Sequence, residues 1–252
     1  MSDLGLIALA AFAAATFAGA LIAGLSGFAF GLIAASVWLY ILTPARTAEL
    51  IVFFALVIQG VAMWRLRQAV KLDRVAPFVI GGALGVPLGV EILRVISAGA
   101  LRVAVSFMLI GFSLHGLLRP KLARVAWGGR IADGAVGFLG GVLGGSTGFA
   151  GILTIIWCNL RGWPRDEQRM VFQPVIAATF VMVALWLGGA GLVDADTLGL
   201  FAIGLPFLLA GHWLGLGLYG RLDEQQFRRI VLILLLVSGL ALAFTQARGL
   251  AS

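Results

Sequence analysis

The sequence predicts an all-α polytopic membrane protein of about eight membrane segments. The segments fall into two inverted repeats, each a broken or re-entrant helix hairpin followed by three transmembrane helices. Three observations predict this. First, 61% of the 252 residues are apolar and only 12% are charged, at a mean hydropathy of +1.07. That is far more apolar side chain than one globular core can hide. Second, the charged residues divide the chain into apolar blocks of helix length. Third, two Gly-rich interruptions recur at a fixed offset.

The composition rules out a soluble enzyme, a disordered chain and a disulfide-built domain. The net charge of +7 comes from 18 Lys/Arg against 11 Asp/Glu, and all but two of the basic residues are Arg. In a membrane protein, basic residues hold loops on the cytoplasmic side, so no nucleic-acid partner is implied. Cys158 is the single cysteine. It can form no internal disulfide and has no metal-ligand company, so no metal or cofactor is expected. Asp3 has the wrong sign for a signal-peptide n-region. The uncharged run from Leu4 to Ala45 reads as a retained membrane segment.

The blocks lie at about 4–45, 50–64, 75–90, 103–118, 134–160, 170–193, 197–220 and 230–247. The first is too long for one helix and is interrupted at Gly24-Leu-Ser-Gly-Phe-Ala-Phe-Gly31. The next three are one helix each, and a basic linker follows at 121–130. The fifth block has 27 residues, too few for two spans of about 20 residues each. It is interrupted at Gly144-Gly-Ser-Thr-Gly-Phe-Ala-Gly151. The last three blocks again suit single helices.

The interruptions align at an offset of 121, Gly24, Gly27, Phe28 and Ala29 against Gly145, Gly148, Phe149 and Ala150. The match continues in slightly changed register. Pro44-Ala-Arg46 falls near Pro164-Arg-Asp166, Gly85 and Gly89 match Gly211 and Gly215, and Leu101-Arg102 matches Phe227-Arg228. The chain therefore reads as a first transmembrane repeat over 1–120, a cytoplasmic linker over 121–130 and a second repeat over 131–252. Internal repeats of this kind are characteristic of secondary transporters.

Charge decides the orientation of the repeats. If all eight blocks crossed once, the basic residues would divide evenly between the two sides. If block 134–160 leaves and re-enters on one side, fourteen basic residues fall together, around 65–74, 119–130, 161–169 and 221–229. Only Arg46, Arg94, Arg102 and Arg248 are left on the other side. The second arrangement obeys the positive-inside rule. By the repeat, block 4–45 behaves likewise, although its length allows two fuller spans. An odd number of crossings per half inverts the halves and leaves both termini extracytoplasmic.

The two breaks carry the functional signal. Unwound backbone in hydrocarbon leaves polar groups unpaired and is tolerated only in protein or around a watery cavity. A helix restarts after each break, at about Phe28 and Phe149, with Ser26, Ser146 and Thr147 at the cap positions. Such starts present free N–H groups and a positive dipole end to an anion. In inverted repeats they are expected to converge near the midplane. The substrate-binding candidates are Gly24, Ser26, Gly27 and Phe28 in the first break. In the second they are Gly145, Ser146, Thr147, Gly148 and Phe149. Neither break holds an acidic residue, which argues against a cation. The alternative is that these glycines only permit tight helix crossing.

The paired Gly-rich motifs, the length, the duplication and the Pro-containing loop after each hairpin resemble the TauE/SafE sulfite exporter family. It is also called the 4-toluene sulfonate uptake permease family. The resemblance covers nearly the whole chain. The family pattern is richer in glycine, roughly G-x-G-G-G in each half, whereas Gly24–Gly27 and Gly144–Gly148 include hydroxyl residues. The resemblance implies a secondary transporter of small sulfur-containing anions, such as sulfite, sulfoacetate or other organosulfonates. It also implies a bacterial inner membrane and export driven by the proton-motive force.

Other polar residues rank lower. Gln59 and Gln173 suit either the substrate path or an interhelical hydrogen bond. His212, deep in the seventh block, suits proton coupling or a neutral hydrogen-bonded role. Glu91 with Arg94, and Arg46 with Glu49, read as interfacial pairs. The segment Arg161–Arg169 reads as a cytoplasmic loop and helix start. A rival class is a rhomboid-like intramembrane serine protease, because Gly24-Leu-Ser26-Gly27 with His212 has the form of a Ser–His dyad. The duplication explains the motif without it. A structural subunit and a channel-like anion facilitator complete the alternatives. Monomer and homodimer are both open.

Overall fold

A computed structural model describes residues 5–26, 29–66, 72–118, 125, 127–189, 194–218 and 224–251. Among them there are ten helices and no strand. The first five are α1 (Leu6–Ser26), α2 (Phe30–Ile41), α3 (Pro44–Leu66), α4 (Leu72–Val95) and α5 (Ala98–Leu118). The second five are α6 (Gly129–Thr147), α7 (Ile152–Leu160), α8 (Arg165–Gly189), α9 (Ala195–Leu218) and α10 (Glu224–Ala251). The protein is thus an all-α polytopic membrane protein.

Among the described residues, six helices, α1, α3, α4, α5, α8 and α9, are long and apolar enough to cross a membrane. At 21 residues, α1 is long enough to span alone. The second legs of the two hairpins are short: α2 has 12 residues and α7 has nine. They rise only about 18 and 14 Å, well under a hydrocarbon core of about 30 Å.

Contacts form two compact units, and neither follows a sequence half. One comprises Met1–Thr47, Ile96–Lys121 and Ala202–Ser252; the other comprises Ala48–Val95 and Leu122–Phe201. In the second unit α4 lies along α6. Gly81 stands against Gly134, Gly85 against Phe138 and Gly89 against Val142. The numbers rise together, so these helices are parallel. A Cβ on Gly85 would run into the Phe138 carbonyl, and one on Gly89 into the Val142 carbonyl. Without side chains here the backbones come into direct contact, as in small-residue membrane packing.

The first unit repeats this contact with α9 and α1. A Cβ on Gly211 would strike the Phe17 carbonyl, and one on Gly215 the Leu21 carbonyl. Phe17 and Leu21 are Phe138 and Val142 shifted by the same 121 residues that relate the breaks. The sequence duplication therefore has a counterpart in the helix contacts. In the same unit α5 and α10 are antiparallel, with Gly99 near Gln246 and Gly116 against Leu232.

Each hairpin closes on itself. Trp38, fully buried on α2, stacks on Phe12 of α1 at 5.0 Å between centroids and 22° between planes. Its Nε1 donates to the Phe12 carbonyl at 3.4 Å. Such a stack contributes about 0.5–1.5 kcal/mol beyond its buried area. In the second hairpin Asp133 of α6 takes the corresponding place. It accepts from Trp157 Nε1 at 2.7 Å and from Arg161 Nη2 at 3.1 Å. Cys158 is fully buried among Val75, Phe78, Val171 and Val175, so it packs as a small apolar side chain.

Candidate functional site

The breaks fall later in the sequence than expected. α1 continues through Gly24 to Ser26, and α6 through Gly144 and Gly145 to Thr147. The restarts are at Phe30 and Ile152 rather than Phe28 and Phe149. The hydroxyls explain the extension of α6. Ser146 Oγ donates back to the Val142 carbonyl at 2.8 Å, and Thr147 Oγ1 to the Leu143 carbonyl at 2.7 Å. These residues therefore end the first leg and do not cap the second. Their protons are already donated, which corrects the expectation that they supply donors to an anion. Thr147 Oγ1 also accepts from Phe149 N–H at 3.3 Å.

Gly148 turns the chain. It has φ 79°, and its N–H bonds the Gly144 carbonyl, a left-handed helix stop that favours glycine. A Cβ there would lie 3.1 Å from the Ala48 carbonyl and 3.0 Å from the Ile51 side chain, so the turn presses against the first turns of α3. In the first hairpin Ala29 takes φ 73°, a conformation costing about 1–2 kcal/mol for a residue with a Cβ. Gly27, Phe28 and the Ser26 side chain lie outside the described residues.

Neither restarted helix has a side-chain cap. The first helical bonds are Ile33 N–H to Ala29 C=O and Ile155 N–H to Gly151 C=O. The N–H groups of Phe30, Gly31 and Leu32, and those of Ile152, Leu153 and Thr154, therefore precede helical bonding. Both starts are well buried: Phe30 and Leu32 are buried in α2, and Ile152 and Thr154 in α7. Three aligned donors at a positive dipole end are what a small oxyanion requires.

Gly24 and Gly145 serve packing. A Cβ on Gly24 would come within 2.6 Å of the His212 carbonyl, and one on Gly145 within 2.7 Å of the Val86 carbonyl. His212 and Val86 are themselves repeat partners, 126 residues apart, like Gly215 and Gly89. His212 is buried on α9. Gln59 on α3 and Gln173 on α8 are both buried, and the Oε1 of each has no hydrogen-bond partner among the described residues. Buried polar atoms are nearly always paired, so an unpaired one asks for a cause.

Four residues have surroundings that the sequence reading missed. Thr154, in the first turn of α7, is 1% exposed, and its Oγ1 is also without a partner. Glu49 is 4% exposed, and it accepts from the Thr197 hydroxyl at 3.1 Å. Asp133 and Arg161, with side chains 10% and 13% exposed, form a nearly buried ion pair that joins the legs of the second hairpin. Only the residue types were visible in sequence. The Glu91–Arg94 pair does form as expected, at 3.0 Å on the surface.

A family model described as sulfite exporter TauE/SafE matches residues 11–242, nearly the whole chain. No curated protein and no solved structure gives a match.

Proposed function

The chain belongs to the TauE/SafE sulfite exporter family, a family of membrane transporters, and from this we propose a secondary transporter of small sulfur-containing anions. Sulfite, sulfoacetate and other organosulfonates are the substrate class, moved across a bacterial inner membrane. Export follows the family's name, and coupling to the proton-motive force is part of the proposal. The observation that carries the reading is the uncapped, buried start of α7, with the matching start of α2. The N–H groups of Ile152–Thr154 hold the anion. Gly148 lets it approach the backbone, and Gln59, Gln173 and Thr154 line its path.

Helix directions within each unit support the inverted arrangement. Under it, α5 enters from outside and α10 leaves toward outside, as their antiparallel packing requires. Eight single crossings would make them parallel. Both termini are then extracytoplasmic.

Flux into proteoliposomes tests the function. Sulfite, sulfoacetate and an arylsulfonate are offered with chloride as control. Movement of at least one sulfur oxyanion, lost on bulky replacement of Gly27 and Gly148, is the expected result. No movement of any of them, or movement that survives both replacements, overturns the proposal.

A further inference from the structure

Outside the breaks, the surface of α4 and α6 carries a groove of about 770 Å³. Its floor is the close approach of Gly81 to Gly134. Its walls are apolar and face outward: Ile80 is 64% and Leu84 69% exposed. Charge occurs only at one end, where Asp73 and Arg130 line it. Asp73 stands one turn before Pro77, and Arg130 one turn before Gly134, which packs near the Pro77 carbonyl. Because α4 and α6 are parallel, the two charges share one level.

Pro77 adds a third polar group. It lies inside α4 and has no N–H, so the Asp73 carbonyl loses its helical donor. The polar end thus offers a carboxylate and a backbone carbonyl as acceptors, beside a guanidinium. Among the described residues, Asp73 and Arg130 are in no ion pair with each other or with another side chain.

We propose that this groove binds a phosphatidylethanolamine lipid, with the ammonium on Asp73, the phosphate on Arg130 and one acyl chain along Ile80 and Leu84. A primary ammonium has three N–H donors for the carboxylate and the carbonyl, as a lysine head does. A choline head has none. Arg and phosphate form charge-assisted, bidentate hydrogen bonds. From Asp73 to Leu84 the groove runs about 16 Å, enough for most of an acyl chain. The site is independent of the transport reading, because it uses none of the residues of the breaks.

The test is lipid retention by the whole purified chain in native mass spectrometry. Phosphatidylethanolamine, phosphatidylcholine and phosphatidylglycerol of equal chain length are the probes. Ethanolamine lipid is expected to be retained about ten-fold better than choline lipid. D73N should bring the two level, and R130Q should weaken both. L84W, at an exposed position away from the glycine contact, should fill the groove and expel all three. Equal retention of ethanolamine and choline lipids by the wild type overturns the proposal. So does glycerol lipid ranking first with no effect of D73N, which would mark a merely basic patch. Should D73N fail to fold, the wild-type ranking and L84W decide alone.

Discussion

Thr197, at the start of α9, donates its hydroxyl to the Glu49 carboxylate near the start of α3, 3.1 Å away and 148 residues apart in sequence. The bond brings the beginnings of these two helices to the same end of their unit. Phe53 and Phe54 of α3 then meet Phe201 of α9 one turn further along, at 6.0 and 4.9 Å between centroids. Had each of the eight apolar blocks crossed once, these starts would lie on opposite faces of the membrane.

The first prediction is one of sidedness. With Cys158 replaced by Ala, T43C and A195C should both react with a membrane-impermeant thiol reagent applied from the extracytoplasmic side. Both positions are exposed. Labelling from opposite sides would rule out the inverted arrangement.

The second concerns the repeated glycine contact. G89A and G215A each place a methyl against a carbonyl of the neighbouring helix, and each should cost about 1–3 kcal/mol. Gly60 has nothing within 4 Å of an added Cβ. G60A should be neutral or stabilise α3 by up to about 1 kcal/mol. Thermal unfolding in detergent reads all three. A tolerated G215A beside a damaging G89A would show that the two contacts are not equivalent.

The third concerns the Asp133–Arg161 pair. Removing either partner alone strands a nearly buried charge, at about 3–5 kcal/mol. Replacing both, as D133L with R161M, should be milder than the sum of the single changes and closer to the wild type than either. A double-mutant cycle by thermal melting measures this. Additive losses would mean that the two charges act independently.

The fourth separates stability from transport at Gln173. Its buried Oε1 has no partner, so Q173L removes an unsatisfied acceptor. Stability should hold or rise by about 1–3 kcal/mol, while flux of the sulfur oxyanion falls. A clear drop in melting temperature would instead make Gln173 a structural hydrogen-bonding residue.

The helices, the two breaks and the duplicated glycines were legible in sequence because each rests on local pattern. A long apolar run cannot avoid forming helix, and Gly85 with Gly211 or Gly145 with Gly24 needs only an offset to be paired. The exact point of each break was not legible. It depends on whether Ser146 and Thr147 turn their hydroxyls back to their own helix or forward to the next, and both are open to those residue types. The burial of Glu49 was also hidden. Its spacing to Arg46 suggests a surface pair, whereas Thr197 reaches it from far along the chain at a buried position. Gln59 and Gln173 were visible as candidates, but their unpaired oxygens follow from tertiary packing alone.

The glycine contact between α9 and α1 has a consequence for how the chain is made. When Gly24 has been polymerised, its partner on α9 still lies about 190 residues ahead, which at about 5–20 residues per second is roughly 10–40 s of synthesis. During that interval the backbone strip at Gly24 has no mate. By contrast, α6 emerges to find α4 already made. The same packing is therefore completed at once in one unit and only after a long wait in the other, and the early helices α1 and α2 are where help from the insertion machinery should matter most.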